Sequence, residues 1–417
     1  MKLKIKLFVL FFAAAALSEI MADPVLSGSI NTVNPRSDFN ALRNPALMSS
    51  EKGDSLGLIF LYSHDIDMSV NGEVDASFLD DETISTDSDE DFNGSVFFSS
   101  VTRIGRGAFG FGIKQNSDNQ FLLSSSESVI EGIIPGPLDF KSETEEEKIE
   151  AGFGLVFSYA LSLKRNESVG FFIENNYYHR KISKKITIYD PAISSDRDFE
   201  SERQGVSFIP GLGLHVSEGR HEAGFMLRMG EIMFEKQEYT LDDSITMFSG
   251  REKTPLFYYF NRGAEVLTGY GYRPAGELNF YAEAGFMFPF LKKEIKRNDE
   301  TLQKEKSYSR LDYGYLVSCG FESVLSRGVL FNSGLMFLMI KNRAYDNNSI
   351  ETGVSEYNVM QLNAGLDIRY SEEVRLLFGA GIYRFIADFT SENSLMALDL
   401  NAESTYLSLS AGITRKY

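Results

Sequence analysis

From about residue 54 onward, apolar side chains alternate with small or polar ones. In the clearest run, Ile149, Ala151, Phe153, Leu155, Phe157, Tyr159, Leu161 and Leu163 fall on one face. Glu150, Gly152, Gly154, Val156, Ser158, Ala160 and Ser162 fall on the other. A period of two over this length specifies an extended strand with one apolar face, because a helix would scatter the same residues around its axis. The alternation recurs at 206–216, 278–290 and 360–369. Soluble sandwiches use strands of about five or six residues. These runs are longer and carry charges in mid-strand, as expected of strands that cross a bilayer with about 9–11 residues each.

The pattern predicts an all-β fold, a transmembrane antiparallel barrel of about fourteen strands. They lie near 54–64, 92–104, 107–116, 149–164, 167–189, 200–217, 220–237, 257–272, 276–293, 306–323, 327–342, 356–370, 373–388 and 402–417. Connections alternate between short ones, such as 103–106, 164–166 and 217–219, and long ones near 65–91, 117–148, 190–199, 238–256, 294–305, 343–355 and 389–401. Short turns on one side and long loops on the other are the habit of outer-membrane barrels. An even count closes the sheet and leaves no unpaired edge in lipid. The competing fold is a secreted array of β-sandwiches. Tyr159, Tyr177, Tyr272, Tyr315 and Tyr370 fall toward strand ends, where interfacial girdles place aromatics. The chain closes on an alternating strand from Leu407 to Tyr417, which resembles the C-terminal signal read by the barrel-assembly machinery.

Composition narrows the class. Of 417 residues, 43% are hydrophobic, and 34 Phe and 20 Tyr make the chain too apolar to be disordered. Lys+Arg 41 against Asp+Glu 59 gives a net charge of −18, which argues against a nucleic-acid partner. The single Cys319 excludes an intrachain disulfide and a cysteine-based zinc site. The apolar run Leu7–Leu17 is too short to span a membrane as a helix. With Lys2, Lys4 and Lys6 before it and Ile20-Met21-Ala22 after it, residues 1–22 read as a signal peptide. Its removal takes away three Lys and Glu19, leaving −20, and a bacterial outer-membrane location is expected.

Residues 23–53 do not alternate, and the barrel is assigned to 54–417. A barrel of this size leaves a lumen that must be filled if it is not an open pore. The segment contains Asn44-Pro45-Ala46 shortly before the first strand. This element, the strand number and the mature length resemble the FadL long-chain fatty acid transporter family of outer-membrane proteins and its toluene-uptake relatives. The resemblance implies that 23–53 is a hatch plugging the lumen and that Asn44, Pro45 and Ala46 are its motif. It also implies a hydrophobic cargo, passive diffusion, and a sideways exit beside a kinked strand. The alternative for Asn44-Pro45 is an ordinary turn before a strand. Gly105, Gly107, Gly110 and Gly112 are placed to permit a bend in the third strand.

Alternation also assigns a lumen row. It carries Phe172, Ile209, Met226, Tyr281, Met287, Leu316, Met336 and Leu338, together with Arg228, Glu283 and Arg369. Large aliphatic side chains facing inward suit a plug or an apolar passage better than a water-filled pore. Arg228 and Arg369 are candidates to hold a cargo carboxylate. The competing reading pairs these charges within the wall or with the hatch, since unpaired charges in a dry lumen are costly.

Neither an enzyme nor a cofactor is expected, because His64, His179, His215 and His221 form no catalytic arrangement by spacing. Asp89, Asp91 and Asn93 match the first half of a calcium loop, but Ser100 stands at its twelfth position; a solvated acidic loop is the competing reading. The expected partners are membrane lipid, lipopolysaccharide and hydrophobic small molecules, and a monomer is expected. Two rival functions remain open at this point: a surface barrel that binds cations or host ligands through acidic loops, and a general porin.

Overall fold

The alternation is realised as one antiparallel sheet closed on itself. The computed structural model describes residues 41, 44–50 and 53–417, except 77–78, 84–86, 131–137, 190–193, 244–247, 254–255, 276–277, 298–303, 346–350 and 394–395. The signal-peptide assignment, and the hatch assignment before residue 41, lie outside the described residues.

Fourteen strands follow in chain order. They are β1 (Ser55–Ala76), β2 (Asp87–Ile104), β3 (Gly107–Ile130), β4 (Leu138–Lys164), β5 (Glu167–Tyr189) and β6 (Ser194–Glu218). Then β7 is His221–Arg228 with Glu231–Asp243, β8 is Phe248–Lys253, Phe257–Arg262 and Glu265–Ala275, and β9 is Leu278–Met287 with Phe290–Arg297. Last come β10 (Lys304–Ser326), β11 (Val329–Tyr345), β12 (Glu351–Arg369), β13 (Val374–Asn393) and β14 (Met396–Lys416). A short extra strand, Leu79–Thr83, pairs with the far part of β1. Each strand pairs with the next, and β14 returns to β1 from Ser55↔Lys416 to Ala76↔Met396. Tyr417 N donates to Asp54 O at 3.0 Å, so both described termini meet at the end of the barrel that carries the short turns. We call this the near end.

The strand count matches the alternation, but several stretches expected as long loops are strand. The ladder of β3 and β4 runs on to Ile130↔Leu138, and β1 continues to Ala76. In 65–76 the alternation continues through Ile66, Met68, Val70, Val74 and Ala76, whereas 117–130 clusters its apolar residues at Phe121–Leu123 and Val129–Ile130; backbone pairing needs no apolar row. Asp89 and Asn93 belong to this extension, in register with Phe121 and Asp118; the backbone is extended there, and their side chains, with Asp91's, lie outside the described residues.

The outer face divides into two zones. Near the short turns it is apolar: Phe171, Ile173 and Tyr177 on β5, Val206 to Val216 on β6, and Leu409 and Ile413 on β14 are exposed. At ~3.3 Å per residue and a strand tilt near 40°, this belt is roughly 25–30 Å tall, the thickness of a bilayer's hydrocarbon core. Beyond it the outer face becomes ionic. Lys181 pairs with Glu200 at 2.5 Å, His179 with Glu202 at 3.0 Å and Arg384 with Glu403 at 2.5 Å. Farther out, hydrogen bonds from Lys253 and Arg251 hold the Glu238 carboxyl below the ordinary carboxylate range. An exposed apolar belt bounded by ion pairs is the surface of a barrel that spans a bilayer.

Candidate functional site: the plugged lumen

Asn44, Pro45 and Ala46, which the resemblance assigns to a hatch, lie inside the barrel. Residues Pro45–Ser50 form a 3-10 turn, and Asn44, Pro45, Ala46, Leu47 and Met48 are buried against the lumen faces of β3 to β7 near the near end. Asn44 organises the turn as a helix N-cap does. Its Oδ1 accepts from Ala46 N at 3.1 Å, and its backbone O accepts from Leu47 N at 3.1 Å. Its Nδ2 donates to Leu214 O at 3.3 Å and Phe225 O at 3.5 Å, which ties the motif to β6 and β7. Ser168 Oγ of β5 donates to Ala46 O at 2.8 Å. Arg103 Nη2 donates to Ser49 O, and Arg103 N to Asp54 Oδ1 at 2.8 Å. Met48 packs with Ala41, Val101, Ala108 and Ala160. Full burial of Leu47 and Met48 contributes about 1.5–3 kcal/mol each.

The wall is cut to admit this segment. A Cβ on Gly213 would lie 2.0 Å from Asn44 Oδ1, one on Gly170 2.4 Å from Ala46 N, and one on Gly110 2.5 Å from Met48 Sδ. All three glycines face the lumen by the parity of their strands. No bulge marks the third strand at its glycines. The register of β3 is continuous from Gly107↔Leu161 to Ile130↔Leu138 on one side and from Ile104↔Gly107 to Phe92↔Asn119 on the other. Gly110 serves the hatch instead, Gly107 makes room for the Tyr159 ring, and Gly105 takes the turn at φ +62°.

The discontinuities lie elsewhere, in three neighbouring strands at one level. β7 breaks after Arg228, β8 before Glu265 and β9 after Met287, and Glu265 is in register with both Arg228 and Met287. Beyond that level Phe257–Arg262 pairs with β7, while Phe290–Arg297 pairs with β10. Among the described residues no ladder joins 257–262 to 291–297. Pro289 sits at the break in β9, where a residue without an N–H costs the ladder least. Met229, Leu256, Tyr258, Phe288 and Leu291 are exposed on the outside around it.

Inside, most of the residues assigned to the lumen row are where alternation puts them. Phe172, Ile209, Met226, Tyr281, Glu283, Met287, Leu316, Met336 and Leu338 are buried and face inward. Arg369 is not among them. As the last residue of β12 it is exposed at the near end, where its Nε donates to Ser371 O at 3.3 Å and its N to Gly328 O at 2.6 Å. Arg228 does face inward, but in ion pairs. Its Nη2 lies 2.8 Å from Glu174 Oε2 and its Nη1 3.9 Å from Glu265 Oε2, with the guanidinium 6.0 Å from the Phe172 ring centroid. Lys114 Nζ takes the other oxygen of Glu174 at 3.1 Å. Lys114, Glu174, Arg228 and Glu265 thus form a neutral chain across β3, β5, β7 and β8, the wall pairing that competed with a cargo-carboxylate role.

Two lumen features escaped the sequence. The Lys114–Glu174 contact needs the register of β3, β4 and β5, which alternation alone does not supply. Farther from the near end, Tyr178 donates to Glu235, as does Gln237, and Tyr239 donates to Gln237. The signal that could have located the hatch seat was legible: Gly110, Gly170 and Gly213 stand at inward positions amid apolar alternation. Of the histidines, His179 pairs with Glu202, and His221 Nδ1 lies 2.5 Å from Tyr270 Oη with its ring stacked on Tyr272. His215 is buried in the lumen wall, and the side chain of His64 lies outside the described residues.

No protein-family model and no curated protein matches the chain in sequence. Solved structures match it in fold. A FadL homologue of Pseudomonas aeruginosa superposes with a TM-score of 0.56 at 14% identity, covering 94% of this chain and 96% of that one. The monoaromatic hydrocarbon channel CymD gives 0.51 at 12% identity over 95% and 98% of the two chains. The P. putida toluene transporter TodX gives 0.51 at 10% identity over 90% and 92%. The architecture of the FadL and TodX barrels is therefore the architecture of this chain, as the resemblance implied.

Proposed function

We propose that this chain is an outer-membrane channel through which hydrophobic molecules diffuse passively inward, past a lumenal hatch and out sideways into the bilayer. The observation that carries this reading is the aligned break in β7, β8 and β9. The ladder is irregular there beside Met287, at the level where the inward row turns apolar. Met229 N still donates to Pro210 O and Phe288 N to Ala264 O, each at 2.9 Å, and the level is ringed on the outside by exposed Met229, Phe288 and Leu291. A molecule leaving there passes from an apolar lumen to lipid without entering water, which removes the desolvation barrier that an aqueous exit would impose. Similarity of fold to channels for monoaromatic hydrocarbons and to a FadL homologue supports the same class of cargo. No chemistry is required of the protein. The hatch seated against Gly110, Gly170 and Gly213 disfavours an open porin.

Uptake by cells with and without the gene tests this. Labelled toluene, a long-chain fatty acid and a long-chain alkylamine are supplied separately at low external concentration. At least one is expected to enter several-fold faster when the gene is present. Equal uptake of all three in both strains contradicts the channel reading.

A further inference from the structure

Four hairpins at the near end close through two-residue tips that each contain an arginine. The tips are Gly105-Arg106 between β2 and β3, Arg165-Asn166 between β4 and β5, Gly219-Arg220 between β6 and β7, and Arg327-Gly328 between β10 and β11. Their closing pairs are Ile104↔Gly107, Lys164↔Glu167, Glu218↔His221 and Ser326↔Val329. Such tight turns need a positive φ, which Gly105, Gly219 and Gly328 supply at +62°, +62° and +144°. In those three the arginine is the tip's one side chain, and all four arginines are exposed.

The tips stand just past the apolar belt. Exposed Ile104, Leu163, Val216 and Leu325 mark its edge before Arg106, Arg165, Arg220 and Arg327. In three of the turns the arginine follows that edge by two residues. At ~3.3 Å per residue and a tilt near 40°, this is about 5 Å along the membrane normal. A hydrocarbon core of about 30 Å within a bilayer of about 40–45 Å leaves each leaflet a headgroup layer of roughly 5–7 Å. The guanidiniums therefore lie at the depth of lipid phosphates.

Charge separates this rim from the far one. Residues 104–107, 163–167, 216–221 and 325–329 hold five Lys or Arg and two Glu, so they carry 5 − 2 = +3 in a chain of −18. Lys164 pairs with Glu167 at 3.0 Å. Among the described residues the guanidiniums of Arg106, Arg165, Arg220 and Arg327 make no ion pair or hydrogen bond. On the outer face beyond the belt, by contrast, Lys181, Arg251, Lys341 and Arg384 each sit in an ion pair. Arg106, Arg165 and Arg220 occupy consecutive hairpins, two strand spacings or about 10 Å apart, which gives each its own headgroup.

We propose that these four arginines dock the headgroups of acidic phospholipids in the membrane leaflet on the short-turn side. Each planar guanidinium donates a pair of N–H bonds to phosphodiester oxygens, and the apolar residue before it lies along the first methylenes of the acyl chain. Attraction to an anionic surface strengthens binding roughly fivefold per Lys or Arg and weakens with salt. The site lies outside the lumen and is independent of the passage reading and its cargo.

Native mass spectrometry of the full-length protein in neutral detergent micelles, with dioctanoyl phosphatidylglycerol, dioctanoyl phosphatidylcholine or inorganic phosphate, tests it. Phosphatidylglycerol is expected to bind at least tenfold more tightly than phosphatidylcholine at low salt, and the preference should shrink as salt rises. Inorganic phosphate at the lipid's concentration should not displace it. In the Arg106→Gln/Arg165→Gln/Arg220→Gln/Arg327→Gln variant the preference disappears while phosphatidylcholine binding is unchanged, and the heat-resistant band on gels reports folding. If that variant fails to fold, the four single Arg→Gln variants decide, each retaining one phosphatidylglycerol fewer than the parent. Equal binding of the two lipids, a preference that survives the substitutions, or displacement by free phosphate overturns the proposal.

Discussion

Replacing Gly213 by Val is expected to unseat the segment around Asn44 and raise the conductance of the barrel. The new Cβ would stand 2.0 Å from Asn44 Oδ1 and 3.2 Å from Pro45 Cδ. The strand cannot yield, because Gly213 lies in the middle of paired β5, β6 and β7. The hatch must move, and its attachments go with it. The Asn44 bonds to Leu214 O and Phe225 O and the Ser168 bond to Ala46 O contribute about 1 kcal/mol each. Once Asn44 lifts, the buried contacts of Leu47 and Met48 are strained as well. A fourteen-strand barrel lies between eight-strand barrels filled by side chains and sixteen-strand water-filled porins, so an emptied lumen admits ions. Planar-bilayer conductance should rise roughly tenfold or more over the parent, approaching that of a 23–50 deletion. Parental conductance from a folded Gly213→Val protein would contradict the seat.

The largest stability effect is expected at Glu174. Its side chain is 8% exposed and holds Lys114 at 3.1 Å and Arg228 at 2.8 Å, themselves 21% and 20% exposed. Glu174→Ala leaves two cations facing each other in a poorly solvated lumen. Breaking a buried pair from one side costs about 3–5 kcal/mol. Glu265, 3.9 Å from Arg228, offsets part of this for Arg228 but does nothing for Lys114. Urea unfolding in lipid vesicles, followed by loss of the heat-resistant folded band on gels, reads the change. Lys114→Met combined with Glu174→Leu should recover most of the loss, since replacing a buried pair by apolar residues is often neutral. A Glu174→Ala protein as stable as the parent would show that the chain of charges is solvated.

Much of this molecule was legible in its alternation. Phe153, Phe157 and Tyr159 face outward, and Val156, Ser158 and Ala160 face inward, because parity alone separates lipid from lumen once closure is assumed. The same parity put Met226, Tyr281, Leu316 and Leu338 inside. It failed where a strand ends: Arg369 has the inward parity, but at the last residue of β12 the side chain is already outside the lumen. It failed again above the bilayer. The stretches 65–76 and 117–130 read as loops because of their acidic and serine-rich composition, although they pair as strand and Ile66, Met68, Val70 and Val74 keep the alternation in the first of them. The break in β7, β8 and β9 was hidden for another reason. Met229-Gly230, Gly263-Ala264 and Phe288-Pro289 are unremarkable dipeptides singly, and only register shows that they fall on one level. The glycines of β3 carried a true signal that was assigned to a bend; they accommodate Met48 and Tyr159.

Photolabelling gives the most direct test of passage through the wall. A long-chain alkyl diazirine is supplied to the protein in lipid membranes, irradiated, and the adducts are mapped by mass spectrometry. The account predicts adducts on inward-facing Met226, Met287 or Leu316 and on outward-facing Phe288 or Leu291 beside the break, all suppressed by excess unlabelled cargo. Adducts spread evenly over the lipid-facing belt, with none on the lumen residues and no suppression by competitor, would contradict it.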